Sequence, residues 1–245
     1  MPKEHKDTEE RMKNIIKPTV ILTLIGFIGA FALSHIYKVT KPYILKQDLE
    51  KQEKALSAVL PGYSINIDDK IITKIDGEDF AYWTGGKNDE TGTEMLKGYA
   101  FICEKAGYSG PVRSMVGIDD KGIILGISII QQSETPGLGA RSTEIASQMT
   151  FLEFITGSRS SDDSGEIAPW FQEQFKGLDS AKPVKILKRG DWNAGNKDEL
   201  INKNAVSAIT GATITTKTVR DSIESGIIKL RKCLETVQAD KEASK

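Results

Sequence analysis

The chain has 245 residues, and its 33 lysines and arginines nearly balance 34 aspartates and glutamates, for a formal net charge of −1. With 39% hydrophobic and 27% charged residues, it lacks the composition of a disordered chain, a collagen or a membrane protein with many spans. The balanced charge also disfavours a nucleic-acid-binding protein. The length suits one domain of moderate size with an appendage.

Histidine and cysteine are scarce. The two histidines, His5 and His35, lie near the N-terminus, which excludes a histidine base, a Ser-His-Asp triad or a histidine-rich metal site from the remaining sequence. The two cysteines, Cys103 and Cys233, form no Cys-x-x-Cys motif, so zinc, iron–sulfur and c-type haem sites lack ligands. Spacing does not decide whether these two pair; buried, reduced thiols are the favoured interpretation.

Residues 18–37 are predicted to form a transmembrane anchor. These 20 residues contain no acidic residue, lysine or arginine, and a helix of about 20 residues spans a bilayer core. A cleaved signal peptide is the alternative, because Ala30-Phe31-Ala32 is a plausible cleavage site. The apolar run continues past that site, which favours a retained anchor. Five lysines or arginines flank the segment on each side, so charge does not decide its orientation.

The segments after the anchor predict an α+β fold. Residues 41–60 are charged and mildly amphipathic and are followed by Pro61-Gly62, which indicates a linker helix within 38–62 that stops at this turn. Short β-type runs follow, and the turn at 119–122 predicts a hairpin between the last two. The six runs are 64–67, 71–75, 80–83, 98–104, 112–118 and 123–130. Because strands come first and helices later, an antiparallel sheet with packed helices is expected rather than a doubly wound fold.

Three helices are predicted in the second half of the chain. One is capped by Ser142 and carries apolar residues at helical spacing from Ile145 to Ile155, before a polar loop at 158–165. A short one follows around Trp170. The last covers 216–237 and has an apolar stripe along one face.

Two loops of small residues are candidate ligand sites. Ser207–Thr216, with the sequence SAITGATITT, leads directly into the last helix. It is either an ordinary turn with a threonine cap or a loop whose hydroxyls and amides meet a phosphate at a helix N-terminus. Glu134–Arg141, with the sequence ETPGLGAR, is either a tight turn or a rigid backbone that a flat ligand can approach closely. Tyr108-Ser109-Gly110-Pro111 has a similar character.

The order of these segments resembles the FMN-binding domain family. Tyr-Ser-Gly-Pro, a hairpin, ETPGLG, the segment 169–175 (PWFQEQF) and AITGATITT follow one another over 97–234. More narrowly, the order resembles the G subunit of Rnf-type ion-translocating oxidoreductases, to which the C subunit of the sodium-pumping NADH:quinone oxidoreductase is related. The single N-terminal anchor fits this resemblance as well.

The resemblance implies a covalent cofactor. In the family, the last hydroxyl residue of [ST]-G-A-T-x-[ST] is joined to FMN by a phosphoester, and the matching residue is Thr215; Thr216 is a chemical rival outside the pattern. The implied cofactor-binding residues are Thr210, Gly211, Ala212, Thr213, Ile214 and Thr215, with Glu134, Thr135, Gly137, Leu138 and Gly139. Glu134 is expected either to orient its loop or to be solvated. Three cations are candidates to pair with the phosphate: Arg141, Lys217 and Arg220. No catalytic residue or metal site is expected.

Two departures from the family pattern stand out. Ser207 occupies the position eight residues before Thr215, where the family usually has Asp. This puts recognition by the flavin-transferring enzyme in question. The segment 142–167 is longer than expected, which indicates an insertion.

The resemblance implies a membrane-bound electron carrier. The expected organisation is a tail at 1–17, the anchor, the linker helix, an extracytoplasmic FMN-binding domain at 63–237 and a polar tail at 238–245. The carrier would work with the other membrane subunits of an Rnf-type complex coupled to Na⁺ or H⁺ movement, with no turnover alone. A flavin transferase would mature it, and membrane lipid would surround its anchor. The alternatives are a C-type subunit of the quinone reductase, a cofactor-free assembly domain and a stand-alone flavin reductase.

Overall fold

The structure is a computed structural model that describes residues 2–75, 77–88, 95–144, 169–188 and 196–243. The chain divides into two compact units, Met1–Glu50 and Lys51–Lys245.

The first unit consists of the greater part of one long helix, α1 (Pro2–Val59). The helix therefore contains both the expected anchor and most of the expected linker helix. Its described side chains from Ile15 to Gln47 are exposed, including the large apolar ones. By length and composition, Ile15–Val59 qualifies as a helix that could cross a membrane. This is consistent with a single-pass anchor.

The second unit is built on an antiparallel sheet of five strands in the order β1-β2-β3-β4-β5. The strands are β1 (Ile71–Ile75), β2 (Glu78–Asn88), β3 (Met95–Ala106), β4 (Pro111–Asp119) and β5 (Ile124–Gln131). The predicted hairpin between the last two strands is confirmed, and its turn uses Gly122 at φ 83°. The expectation of a strand at 64–67 is wrong. Only Ser64 bridges, to Gly86, and a turn begins at Ile67.

A helix packs on each face of this sheet. The C-terminal helix α4 (Thr213–Ala243) is longer than the predicted 216–237. Its apolar stripe, Val219, Ile223, Ile227 and Leu230, is buried in one core cluster with Phe101 and Val116. On the opposite face, the last turn of α1 is buried against Trp83, Ala100 and Met115. Neighbouring strand residues thus point into different clusters, as the alternation of a strand requires.

The remaining elements are short. A 3₁₀ helix covers Gly139–Thr143, and α2 covers Trp170–Glu173. Strands β6 (Lys185–Leu187) and β7 (Ala205–Ser207) form a parallel pair, with α3 (Lys197–Lys203) between them in the chain. This pair and α3 were not predicted. The predicted helix over 145–155, the polar loop at 158–165 and nearly all of the predicted insertion lie outside the described residues.

The α+β expectation is confirmed by the antiparallel sheet and its packed helices. Cys103 and Cys233 are buried and free, so the interpretation of two reduced thiols is also confirmed.

Candidate functional site

A cavity of about 400 Å³ lies where the second candidate loop meets the N-terminal turn of α4. Its lining is Tyr108, Glu134, Thr135, Leu138, Gly139, Gly211, Ala212, Thr213, Ile214 and Thr215. The fold thus brings together nine of the eleven residues that the sequence proposed for cofactor binding. Thr210 and Gly137 do not line the cavity. Gly137 has φ 75° and lies in the turn that also contains Leu138. Thr210 lies in the turn before α4.

Thr215 is at the base of this cavity. Thr215 is 1% exposed, and its Oγ1 donates a hydrogen bond to Glu134 Oε2 over 2.8 Å. Although 81 positions separate the two residues in the chain, β5 ends and α4 begins at the same place in the fold. The candidate acceptor hydroxyl therefore faces a carboxylate.

Glu134 is buried rather than solvated, with 6% of its surface exposed. Its Oε1 accepts hydrogen bonds from the backbone N–H groups of Tyr108 at 2.8 Å and Ser109 at 3.3 Å. Its own N–H donates to Gln132 Oε1 at 2.7 Å. The carboxylate therefore ties the Tyr-Ser-Gly-Pro turn to Thr215, the orienting role that the sequence left open. Burying a carboxylate is costly unless it is hydrogen-bonded, and both of its oxygens are.

Two glycines of the cavity lining stand where a larger residue would be strained or would clash. A Cβ added to Gly139 would lie 2.5 Å from both Thr215 Oγ1 and Glu134 Oε2. Gly211 turns the chain into α4 with φ 76°, and a Cβ there would lie 2.9 Å from Leu138 Cδ2. Gly139 is thus required by space, and Gly211 by its backbone conformation.

Thr216, the chemical rival, has a structural role. Its Oγ1 accepts from the backbone N–H of Ile209 at 3.0 Å and donates to the carbonyl of Ala212 at 3.2 Å. The residue is fully buried and is absent from the cavity lining. Of the two adjacent hydroxyls, that of Thr216 therefore hydrogen-bonds to the backbone, and that of Thr215 faces the cavity.

The three candidate phosphate cations do not line the cavity. Arg141 pairs with Glu144 at 3.0 Å and lies over the ring of Trp170 at 5.6 Å. Arg220 pairs with Asp221 and also donates to the carbonyl of Val184 at 3.2 Å. Lys217 is exposed. Among the residues described here, the cavity lining contains no lysine, arginine or histidine.

Ser207 lies in β7 and is not part of the cavity lining. It is 4% exposed, and its N–H donates to Gln174 Oε1 at 2.6 Å. No sequence pattern indicated this contact, because Gln174, in the turn after α2, is 33 positions away in the chain. Tyr108 is a site residue that the sequence suggested only as part of a weak turn motif.

Known proteins are similar to this chain in sequence. Residues 107–227 match the model of the FMN-binding domain. The chain is 27% identical over 234 residues to the G subunit of the Na⁺-translocating ferredoxin:NAD⁺ oxidoreductase complex of Acetobacterium woodii. The alignment covers 90% of this chain and 96% of that protein.

Two further proteins are similar. The G subunit of the proton-translocating ferredoxin:NAD⁺ oxidoreductase complex of Clostridium ljungdahlii is 26% identical, with 91% of this chain and 94% of that protein covered. The crystal structure of the C subunit of the Na⁺-translocating NADH-quinone reductase of Parabacteroides distasonis superposes with a TM-score of 0.43 and 21% identity. That superposition covers 75% of this chain and 92% of the other. The sequence matches show that residues 107–227 correspond to an FMN-binding domain and that the chain is homologous to the G subunits.

Proposed function

We propose that this FMN-binding chain is the G-type subunit of an Rnf-type ferredoxin:NAD⁺ oxidoreductase complex and carries FMN on Thr215 through a phosphoester. One observation supports Thr215 as the attachment residue. The Thr215 hydroxyl lines a cavity built from the two sequence motifs, whereas the neighbouring Thr216 hydroxyl is committed to the backbone. Thr215 is therefore the threonine of this pair that a phosphate can reach.

The residues around the hydroxyl fit an attached phosphate. Thr213, Ile214 and Thr215 form the first turn of α4, a helix of 31 residues. The first N–H groups of a helix have no acceptor within the helix, and the helix dipole favours an anion there. A phosphodiester joined to Thr215 would begin at this turn. A helix N-terminus would hold the phosphate without a lysine or arginine in the described lining.

The rim of the cavity fits the flat ring of a flavin. Three apolar or aromatic residues of the lining are exposed: Tyr108 by 71%, Ile214 by 54% and Leu138 by 43%. These side chains would contact the ring, while the polar base of the cavity holds the phosphate end. When bound, the flavin supplies the redox chemistry, and the protein fixes its position and surroundings.

The proposed partners follow from the relatives. Both G subunits align over about nine-tenths of this chain's length. We therefore place the chain beside the other membrane subunits of such a complex, with its anchor in membrane lipid and its domain, 63–237, extracytoplasmic. In this position it passes electrons between redox subunits, and the complex couples that flow to Na⁺ or H⁺ movement. The relatives favour the ferredoxin:NAD⁺ type over the quinone-reductase type.

Intact mass tests the attachment. The full chain is expressed with its anchor and a flavin transferase, purified and denatured. We expect a mass gain equal to FMN less water, in-gel flavin fluorescence, and a modified peptide that maps to Thr215. Thr215→Val is expected to abolish the adduct, and Thr215→Ser to keep it.

A chain that gains no adduct, while a known acceptor in the same cells does, would refute the covalent proposal. A cofactor-free assembly domain would then describe the chain better. Ser207→Asp would test whether the missing family aspartate prevents recognition by the flavin-transferring enzyme.

A further inference from the structure

We propose that Glu134 is the general base for flavin attachment and accepts the proton of the Thr215 hydroxyl when its oxygen bonds to phosphorus. This inference rests on the proposed function. It assigns part of the attachment chemistry to the acceptor chain itself.

The hydrogen bond between the two side chains already has the required direction and length. Thr215 Oγ1 donates to Glu134 Oε2 over 2.8 Å, within the range expected of a base and the proton that it abstracts. A threonine hydroxyl is a weak nucleophile without an adjacent base. The pair thus has the nucleophile–base geometry that activation of this hydroxyl needs.

The carboxylate is held in this orientation from its other end. Oε1 accepts from the N–H groups of Tyr108 and Ser109, which leaves Oε2 directed at Thr215. The backbone at Gly107 and Gly139 lies so close to the carboxylate that an added Cβ would clash with it at either position. The side chain is therefore fixed by hydrogen bonds and by packing.

The described residues of the cavity provide no comparable base. Glu134 is the one carboxylate in the lining, and the only other titratable side chain there is the phenol of Tyr108, an exposed residue. Both histidines of the chain, His5 and His35, lie within α1. Among the described residues that line the cavity, activation of the threonine therefore falls to Glu134.

The step needs a flavin whose phosphate already carries a leaving group, and a flavin adenine dinucleotide is a donor of that class. A bond forms between Thr215 Oγ1 and the phosphorus on the flavin side, and the bond from that phosphorus to the bridging oxygen breaks. AMP leaves with the bridging oxygen and its electron pair. The threonine proton passes to Glu134 and then to solvent, and no atom changes oxidation state.

Glu134→Gln tests the proposal. It keeps the size of the side chain and an oxygen that can accept from Tyr108 and Ser109, but removes the base. The full-length chain in detergent is incubated with flavin adenine dinucleotide and a purified flavin transferase, and adduct formation is timed by intact mass. We expect Glu134→Gln to lower the rate about a hundredfold or more, since general bases contribute factors of about 10² to 10⁴.

Glu144→Gln is the matched control. It removes an exposed carboxylate only ten positions away, which pairs with Arg141 outside the cavity lining, and its rate should equal that of the wild type. Glu134→Asp keeps a carboxylate but withdraws it by one methylene. Its rate is expected to lie between those of the wild type and Glu134→Gln. Thermal unfolding of each variant shows whether it is folded.

The outcomes separate this inference from the proposed function. A wild-type chain that is modified at Thr215, beside a folded Glu134→Gln chain modified within threefold of the same rate, overturns the role of Glu134 alone. A wild-type chain that is never modified overturns both. Should Glu134→Gln fail to fold, a folded Glu134→Asp chain with the wild-type rate also overturns the inference.

Discussion

The backbone of Gly139 lies so close to the Thr215 side chain that a Cβ at position 139 would overlap it. An added Cβ would lie 2.5 Å from Thr215 Oγ1 and 2.8 Å from Glu134 Cβ. The hydrogen bond between Thr215 and Glu134 thus depends on a residue without a side chain at position 139, at the start of the 3₁₀ helix.

Gly139→Ala is expected to push Thr215 and Glu134 apart. Forcing one extra methyl into a packed site costs about 1–3 kcal/mol of unfolding free energy. We also expect adduct formation at Thr215 to fall at least tenfold, because the hydroxyl and carboxylate lose their alignment. Denaturant unfolding and intact mass measure the two effects.

Gly77→Ala is the control for Gly139→Ala. Gly77 has φ 85° with nothing within 4 Å of an added Cβ, so alanine there strains the backbone without a clash. It should cost stability but leave adduct formation unchanged. Equal adduct rates in the two variants would contradict the steric argument.

Thr216→Val should affect stability, whereas the effect of Thr215→Val is on attachment. Thr216→Val removes the hydroxyl that accepts from the buried N–H of Ile209 at 3.0 Å. An unsatisfied buried donor costs about 1–3 kcal/mol. Chemical denaturation is expected to show that loss, and Thr216→Ser, which keeps the hydroxyl, should lose less. If the folded Thr216→Val chain lost its adduct while Thr215→Val kept it, the assignment of the acceptor would be reversed.

Leu56→Ala is expected to destabilise the second unit. Leu56 is 2% exposed in the cluster between the end of α1 and the sheet. Truncating a buried leucine costs about 2–5 kcal/mol. Leu49→Ala, earlier in the same helix, removes the same atoms from a residue that is 58% exposed and should be nearly neutral in detergent. Equal melting temperatures for the two variants would argue against this packing.

Cys103 is expected to resist thiol reagents in the folded protein. Burial raises the pKa of its thiol to about 12, so almost no thiolate forms at neutral pH. Burial also raises the pKa of Cys233. We expect neither thiol to react with an alkylating reagent until the chain is denatured, when both should react. Rapid labelling of Cys103 at pH 7 without unfolding would contradict its burial.

Asp221 makes stability depend on pH. Partial burial raises the pKa of its carboxyl, but the hydrogen bond from Lys105 at 2.9 Å and the adjacent charge of Arg220 outweigh this, so the pKa lies below its usual value. The pairing therefore stabilises the fold above pH about 4 and is lost as pH falls through the lowered pKa. Because the pair is partly exposed, Asp221→Asn should cost no more than about 1 kcal/mol at pH 7.

Unfolding midpoints at pH 7 and pH 3 measure the effect of Asp221→Asn. The difference from the wild type should shrink at the lower pH. Asp69→Asn, at an exposed position, is the carboxylate control measured beside it. A difference between Asp221→Asn and the wild type that grows on acidification would contradict a lowered pKa for Asp221.

Local sequence pattern was enough to predict several elements of this protein. An unbroken apolar run predicted the anchor segment of α1, and β-branched residues on both sides of a turn at 119–122 predicted the β4–β5 hairpin. Periodic apolar residues predicted α4 but not its start at Thr213. The helix begins there because the chain turns at Gly211. The order of the motifs alone indicated the FMN-binding domain. For the anchor, the hairpin and α4, neighbouring residues suffice, because the signal lies within each of these elements.

Which side chains meet depends on the folded chain. Glu134 and Thr215 lie 81 positions apart, and no local pattern shows that a glutamate at a strand end becomes buried against a helix N-terminus. The same holds for Ser207 and Gln174, and for the parallel pair β6–β7, whose strands of three residues are too short for a periodic signal. Burial of a polar side chain is favourable only where distant groups supply its hydrogen bonds, and those groups converge only in the tertiary structure.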